Sequence, residues 1–439
     1  MFWLEFAVVM AAMFLGARRG GVFLGMAGGM GLVILVFLFG LAPSSPPIDV
    51  MLIIFAVVTA ASTLQASGGM DYLVRLAEYI LRKHPQHITF LSPVIAYVFT
   101  FMSGTGNVAY SIMPVIAEVA RETGVRPERP MAISVIASQQ AITASPISAA
   151  MAAMVAMMAP LGVSMSMIML ICIPATFIGV LVGALYSSRV GVELEDDPEY
   201  QRRLAAGLLP PIQKKEIVKV TASSEAKRSV ALFLLGAVCI VIMGTFPELR
   251  PDFVINGKAV KLSMTHTIEM IMLVIAGIMV LTCNVSVDKI TGGSVFRAGM
   301  MGLVCIFGLA WMGDTFVSNN LPFIKDNVQG IVADYPWTFA FALFGVAALI
   351  MSQAATTRAL MPLGISLGMP VASMIGVWPA VNGVFFIPNY ATVIAGVAFD
   401  STGTTRIGKF VFNHSYMVPG LITITTSVVL ALALGNILL

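Results

Sequence analysis

Charge is what this chain has least of. Of its 439 residues, 11% are charged and 58% apolar, and the mean hydropathy is +0.93. Soluble domains carry about 25% charged residues, so a soluble globular fold is excluded. Cysteine and histidine are scarce too, with four of each. Cys172, Cys239, Cys283 and Cys305 fall inside apolar runs without CxxC or Cys/His spacing, which reads as inert packing. His84, His87, His266 and His414 lie near segment ends and too far apart for a cluster, so no metal and no cofactor is expected. The alternating strands of about 10 residues that mark a membrane β-barrel do not occur. A phosphate loop is also missing; GMAGGMG (25–31) lies inside an apolar run and reads as close helix packing. The spans hold no nucleophile–base or acidic pair for an enzyme. A net charge of +3 is too small to point to nucleic acid.

What the chain has instead is apolar runs, where a membrane span needs roughly 20 residues. They fall at 2–16, 20–42, 50–65, 87–120, 131–160 and 164–187, then at 229–246, 264–284, 298–321, 336–368, 370–400 and 411–438. The charged stretch 188–228 separates these two sets of six and reads as a solvated cytoplasmic linker. The opening MFWLEFAVVMAAMFLGARRGG reads as a retained span, because its Arg pair follows the apolar run.

The halves repeat local detail in the same order. STLQASGGMDYLVRLAEYILRKHP (62–85) parallels DTFVSNNLPFIKDNVQGIVADYP (314–336): a polar span end, a short amphipathic helix, then Pro. MSGTGN parallels MSQAAT, each running on to MP, and PMAISVIASQQAITASP (130–146) parallels PVASMIGVWPAVNGVFFIP (370–388). The expected fold is an all-α polytopic membrane protein with two repeats, 1–187 and 229–439.

Lys and Arg set the orientation. With the N-terminus outside, the inner loops hold twenty cations: eight from Arg18 to Arg129, eight in the linker, and Lys289, Arg297, Arg406 and Lys409. The outer loops hold four, Arg250, Lys258, Lys261 and Lys325. The asymmetry follows the positive-inside rule and puts both termini on the periplasmic side. It closes only if 87–120 and 336–368 are re-entrant helical hairpins, with 131–160 and 370–400 as discontinuous transmembrane helices. Eleven residues separate Arg358 from Pro370, about 16 Å of helix and roughly half the apolar core. The first hairpin then opens to the cytoplasm and the second outward, so the repeats are inverted, as in many secondary transporters.

Non-helical backbone at membrane depth is tolerated where protein buries it or it lines a cavity. Four such breaks are expected to meet near the midplane. They are the tip Ser103, Gly104, Thr105, Gly106, Asn107; the stretch from Gln139 through Thr143 to Ser145; the tip Ser352, Gln353, Thr356, Thr357, Arg358; and the stretch with Asn389 and Thr392. Half-helices starting there aim positive ends and free N–H groups at the centre. Arg358 adds a planar fork suited to carboxylate. The expected ligand is a small anion, and two facing tips suit one with an acidic group at each end.

Blander readings stand beside these. A single membrane Ser or Thr more often bonds its own backbone, and Arg358 could pair structurally with Asp314 or snorkel outward. Intramembrane charges are usually functional. Asp314 is weighed between a proton site and a helix cap after MGD. Glu78 with Arg82, an i,i+4 pair, and Arg126 read first as solvated charge and second as gating or coupling residues at the inner entrance.

GTGNVAYSIMPVIAEVA, ITASPISAA, WMGDTFVSNN, SQAATTRALMP and STGTTRIGKFVFNHSYMVPG, spread through both halves, resemble the anaerobic C4-dicarboxylate transporter family of bacterial inner membranes. The resemblance implies exchange or uptake of fumarate, malate, aspartate and succinate during anaerobic respiration. It also implies a homodimer with a fixed scaffold and a moving transport domain, an elevator, with substrate flanked by 103–107 and 352–358. Within the family the chain resembles the constitutive exchangers more than members with an added regulatory role. Related sodium-coupled carriers show Ser-Asn-Thr at both tips, whereas here they read SGTGN and SQAATT, which weighs against sodium coupling. The alternatives are a sodium- or proton-coupled symporter of organic anions on the same fold, or a channel. A sensor-kinase contact through the linker or the STGTTRIGKF loop remains a further expected partner.

Overall fold

The computed structural model describes residues 1–19, 22–209, 221–255, 258–388, 390–408 and 413–439. The first half runs α1 (Phe2–Arg19), α2 (Phe23–Phe37), α3 (Ile48–Ala66), α4 (Gly69–Lys83), α5 (Ile88–Ser103), α6 (Ala109–Glu122), α7 (Glu128–Gln140), α8 (Ala149–Met158) and α9 (Met165–Ser187). The linker helix α10 (Pro198–Ala205) comes next. The second half runs α11 (Ser224–Thr245), α12 (Met264–Thr282), α13 (Val287–Gly292), α14 (Ser294–Asp334), α15 (Phe339–Ile350), α16 (Gln353–Ser366), α17 (Val371–Val377), α18 (Ala391–Phe399) and α19 (Met417–Leu438). The all-α expectation needs one correction. Between α11 and α12 lies a two-stranded antiparallel ribbon, β1 (Asp252–Ile255) with β2 (Lys258–Lys261), Asp252 facing Lys261.

Among the described residues, α9, α11, α12, α19 and the Ser294–Phe323 part of α14 are long and apolar enough to cross a membrane. The bent pair Met51–Ala66 and Gly69–Lys83 makes a further candidate. Ser164, Ser223 and Ser263 start α9, α11 and α12 by accepting the N–H three residues on. At Gly68 the chain turns left-handed, φ 79°, and α4 leaves α3 at 70°. In the matching stretch of the second half, α14 runs unbroken through Pro322 for 41 residues. The separate amphipathic helix expected there is instead the end of α14.

The helices group by packing. α1, α2, α3, α11, α12 and α14 form one bundle, in which α2 lies along α14, α12 along α3, and α3 against α14. α5–α9 and α15–α19 form another: α9 lies along α19, α5 on α7, α15 on the 3₁₀ turn Trp378–Phe385, α16 on α8 and α6 on α18. The last span of each half therefore sits with the interrupted helices rather than among the outer spans. GMAGGMG is a packing face: a Cβ on Gly308 of α14 would stand 1.8 Å from the Gly25 carbonyl oxygen of α2.

Residues 188–209 are largely solvent-exposed, as expected, but they are docked rather than a free tether. Arg126 is buried between Glu128, at 2.7 Å, and Asp197, at 2.5 Å. Asp197 Oδ1 also accepts the N–H groups of Glu199 and Tyr200 and so starts α10. Arg129 reaches Glu193 at 2.9 Å, and Arg203 Nη1 donates to the Ser401 carbonyl at 2.9 Å. A buried guanidinium needs carboxylates around it, and the linker supplies two of them to the start of α7.

Candidate functional site

Two helix ends turn by the same device. α5 ends at Gly104 with φ 69°, and α15 ends at Met351 with φ 56°. Gly104 takes the left-handed conformation freely, whereas at Met351 it costs roughly 1–2 kcal/mol. After Met351 the chain is extended, and Ser352 Oγ accepts the Ala355 N–H at 3.2 Å to cap α16. Ser148 caps α8 in the same way through the Met151 N–H at 3.0 Å. At the first tip Ser103 Oγ donates to the Thr105 carbonyl at 3.2 Å, and the 3₁₀ turn Gly106–Val108 contains Asn107. Ser145 Oγ donates to the Phe101 carbonyl at 2.7 Å, tying the α7–α8 break to the end of α5.

Gln139 joins the four breaks. Its Oε1 accepts from Gln353 Nε2 at 2.8 Å, and its Nε2 donates to Thr392 Oγ1 at 3.3 Å. A Cβ on Gly106 would stand 2.7 Å from that same Nε2. One buried amide on α7 thus touches α16, α18 and the first tip. A second layer lies beside it, where Asn382 Nδ2 donates to Gln140 Oε1 at 3.2 Å and to Thr143 Oγ1 at 3.0 Å. Gln140 Nε2 and Asn382 Oδ1 have no hydrogen-bond partner among the described residues.

Other expected residues fall elsewhere. Thr356 and Thr357 donate to the carbonyls of Ser352 and Gln353 at 2.8 and 2.7 Å, bonding their own helix. Thr357 Oγ1 also accepts from Trp378 Nε1 at 2.8 Å. Arg358 faces α14, with Nε 3.9 Å from Asp314 Oδ2 and about a quarter of the side chain exposed. Asp314 lies in the middle of α14, so the expected cap is not found. Asn389 and the side chain of Asn107 lie outside the described residues. Gln140 and Asn382 lie in two of the expected breaks, outside the expected substrate-binding residues, and Trp378 was not expected as a partner. The signal for Trp378 was an indole N–H in an apolar run, which needs an acceptor once buried.

Arg82 is not half of a solvated pair. Its side chain is 6% exposed and stands among Glu78 at 2.9 Å, Glu118 at 3.2 Å and Glu122, joining α4 to α6.

The family model for anaerobic C4-dicarboxylate membrane transporters matches residues 1–439. The chain belongs to that family. The C4-dicarboxylate transporter DcuA of Wolinella succinogenes is 43% identical over 435 residues, 99% of each chain. The anaerobic C4-dicarboxylate transporter DcuB of Escherichia coli O6:H1 is 37% identical over 441 residues, 98% of this chain and 97% of its own. Among solved structures, the Alcanivorax borkumensis YdaH transporter matches with a TM-score of 0.51 and 14% identity, covering 91% of this chain and 87% of that one. At that identity the likeness is one of fold. As a member of the anaerobic C4-dicarboxylate membrane transporter family, the chain is a multi-pass membrane transporter rather than an enzyme.

Proposed function

We propose that this protein exchanges C4-dicarboxylates across the bacterial inner membrane, taking up fumarate, malate or aspartate against succinate by an elevator movement. The observation that carries the reading is the Gln139 amide, which touches Gln353, Thr392 and the Gly106 turn at once. It makes the four breaks one unit, and the N-terminal ends of α6, α8, α16 and α18 supply N–H donors for an anion. Arg358, one turn into α16, is the charged partner for a carboxylate.

The halves read as inverted repeats because their packing exchanges. α2 on α14 corresponds to α12 on α3, and α16 on α8 corresponds to α6 on α18. The moving block is then α5–α9 with α15–α19, and the scaffold is the remaining bundle. With α4 counted in the scaffold through its packing on α11 and α3, Arg82 with Glu118 and Glu122, and Arg358 with Asp314, cross between the two and are its gating contacts. The scaffold pairs two copies as a homodimer. The termini are periplasmic, and a sensor-kinase contact belongs on the cytoplasmic face where the linker meets the loop after α18.

Exchanging one dianion for another moves no net charge, so a single Arg with helix dipoles works in both directions. Efflux of labelled succinate from proteoliposomes should accelerate when fumarate is added outside; if it does not, exchange is lost as a reading. Arg358→Ala should abolish uptake in a protein that still folds. Normal transport by that variant reduces Arg358 to a structural charge.

A further inference from the structure

The motif WMGDTFVSNN falls on α14, and four of its side chains bind the first half's outer segment. Trp311 Nε1 donates to the Ser44 carbonyl at 2.6 Å, and Thr315 Oγ1 accepts the Ser44 N–H at 3.1 Å. Asn319 Nδ2 donates to the Ala42 carbonyl at 2.8 Å, and Asn320 Nδ2 donates to Glu5 Oε2 at 2.7 Å. These bonds fix this stretch of α14 to the bundle of α1, α2 and α3. Asp314 instead meets α16. The two helices are close here: a Cβ built on Gly313 would stand 3.8 Å from the Ala359 Cβ, an ordinary contact distance, and Arg358 Nε lies 3.9 Å from Asp314 Oδ2.

We infer that Asp314 is a resident carboxylate which substrate displaces from Arg358, and that this pair makes the carrier exchange rather than leak. The inference rests on the exchange reading above. Arg358 travels with α16, while Asp314 stays with α14. An empty block that moved would carry Arg358 away from its carboxylate at membrane depth, where an uncompensated charge is strongly penalised. A dicarboxylate gives Arg358 a replacement carboxylate that moves with it, in the bidentate geometry a guanidinium favours. The loaded block is therefore free to cross, and the empty one is held. When substrate leaves, Asp314 takes Arg358 back.

The test uses the full chain in proteoliposomes loaded with labelled succinate, diluted into buffer with or without fumarate. In Asp314→Asn, net efflux without fumarate should rise about tenfold relative to exchange, the factor given by 1.36 kcal/mol of barrier. Asp314→Glu should keep the wild-type ratio. An unchanged ratio in Asp314→Asn with exchange intact overturns the latch and leaves the carrier reading standing. If fumarate fails to stimulate efflux in the wild type, the carrier reading itself falls. A second measurement does not depend on Asp314→Asn folding: Gly313→Cys with Ala359→Cys, in a chain whose four native cysteines are replaced. The 3.8 Å Cβ spacing suits a disulfide, and oxidation should be several-fold faster without fumarate than in saturating fumarate. Equal rates overturn the inference.

Discussion

Gln139 Oε1 accepts a hydrogen bond from Gln353 Nε2 at 2.8 Å, joining residues 214 positions apart in the chain. Both side chains are buried, so nothing replaces that bond when one partner is removed. Gln139→Ala orphans the Gln353 amide and should cost about 1–3 kcal/mol, read as a lower melting temperature in detergent. Uptake should fall more steeply than stability. Gln139→Glu keeps the acceptor toward Gln353 but adds negative charge to the proposed anion site, so it should lose transport and keep most of the fold.

The two tip glycines should separate strain from crowding. Gly104→Ala forces a side chain into φ 69° and against the Ile147 carbonyl, 2.8 Å from the new Cβ. That change should cost at least about 1 kcal/mol. Gly106→Ala meets only the end of the Gln139 amide, at 2.7 Å, which is able to swing aside. Displacing that amide orphans Gln353 as Gln139→Ala does, so Gly106→Ala should cost a similar amount, about 1–3 kcal/mol, without backbone strain. It should lose uptake because the amide leaves its place. Thermal melts and uptake on the same two proteins check this.

At the α2–α14 crossing, Gly308→Ala would put a methyl 1.8 Å from the Gly25 carbonyl oxygen, a backbone atom with no way to yield. The helices must part, at a cost of roughly 1–3 kcal/mol or more. Gly29→Ala, on the same run of glycines, meets nothing within 4 Å and should be silent. Melting temperatures of the two variants should differ by several degrees; equal values would remove GMAGGMG as a packing face.

Linker docking should depend on pH. Burial pushes the Asp197 carboxyl up, but the Tyr200 N–H and Arg126 outweigh it and hold it below its ordinary value. A carboxyl with a depressed folded pKa contributes stability above the unfolded value, about 4. That contribution is lost as pH falls through the lower folded value. Hydrogen exchange of the α10 amides, corrected for intrinsic rate, should therefore be slow at pH 6 and fast near pH 3. Asp197→Asn should exchange fast at both, and slow exchange at both would mean that Arg126 does not hold the linker.

By itself the sequence determined the features that solvent and residue spacing dictate. Long apolar runs with few charges require helices in a bilayer, because the backbone finds no water there. Polar residues bunched at Ser103–Asn107, Gln139–Ser145 and Ser352–Arg358 marked where those helices stop. The left-handed turn at Gly104 and the cap at Ser352, seen in the structure, likewise involve only a few adjacent residues. Only the tertiary structure decided which polar groups meet. Nothing local to Gln139 says that its amide bonds Gln353 and Thr392 while Gln140 and Thr143 turn to Asn382. Nor does spacing tell that Asp314 faces Arg358 mid-helix instead of capping, or that Asp197 buries itself beside Arg126 instead of staying in water. Each of these groups had a partner available from its own segment or from solvent. The choice among them was made by packing between segments more than 40 residues apart in the chain, which close into contact only in the folded protein.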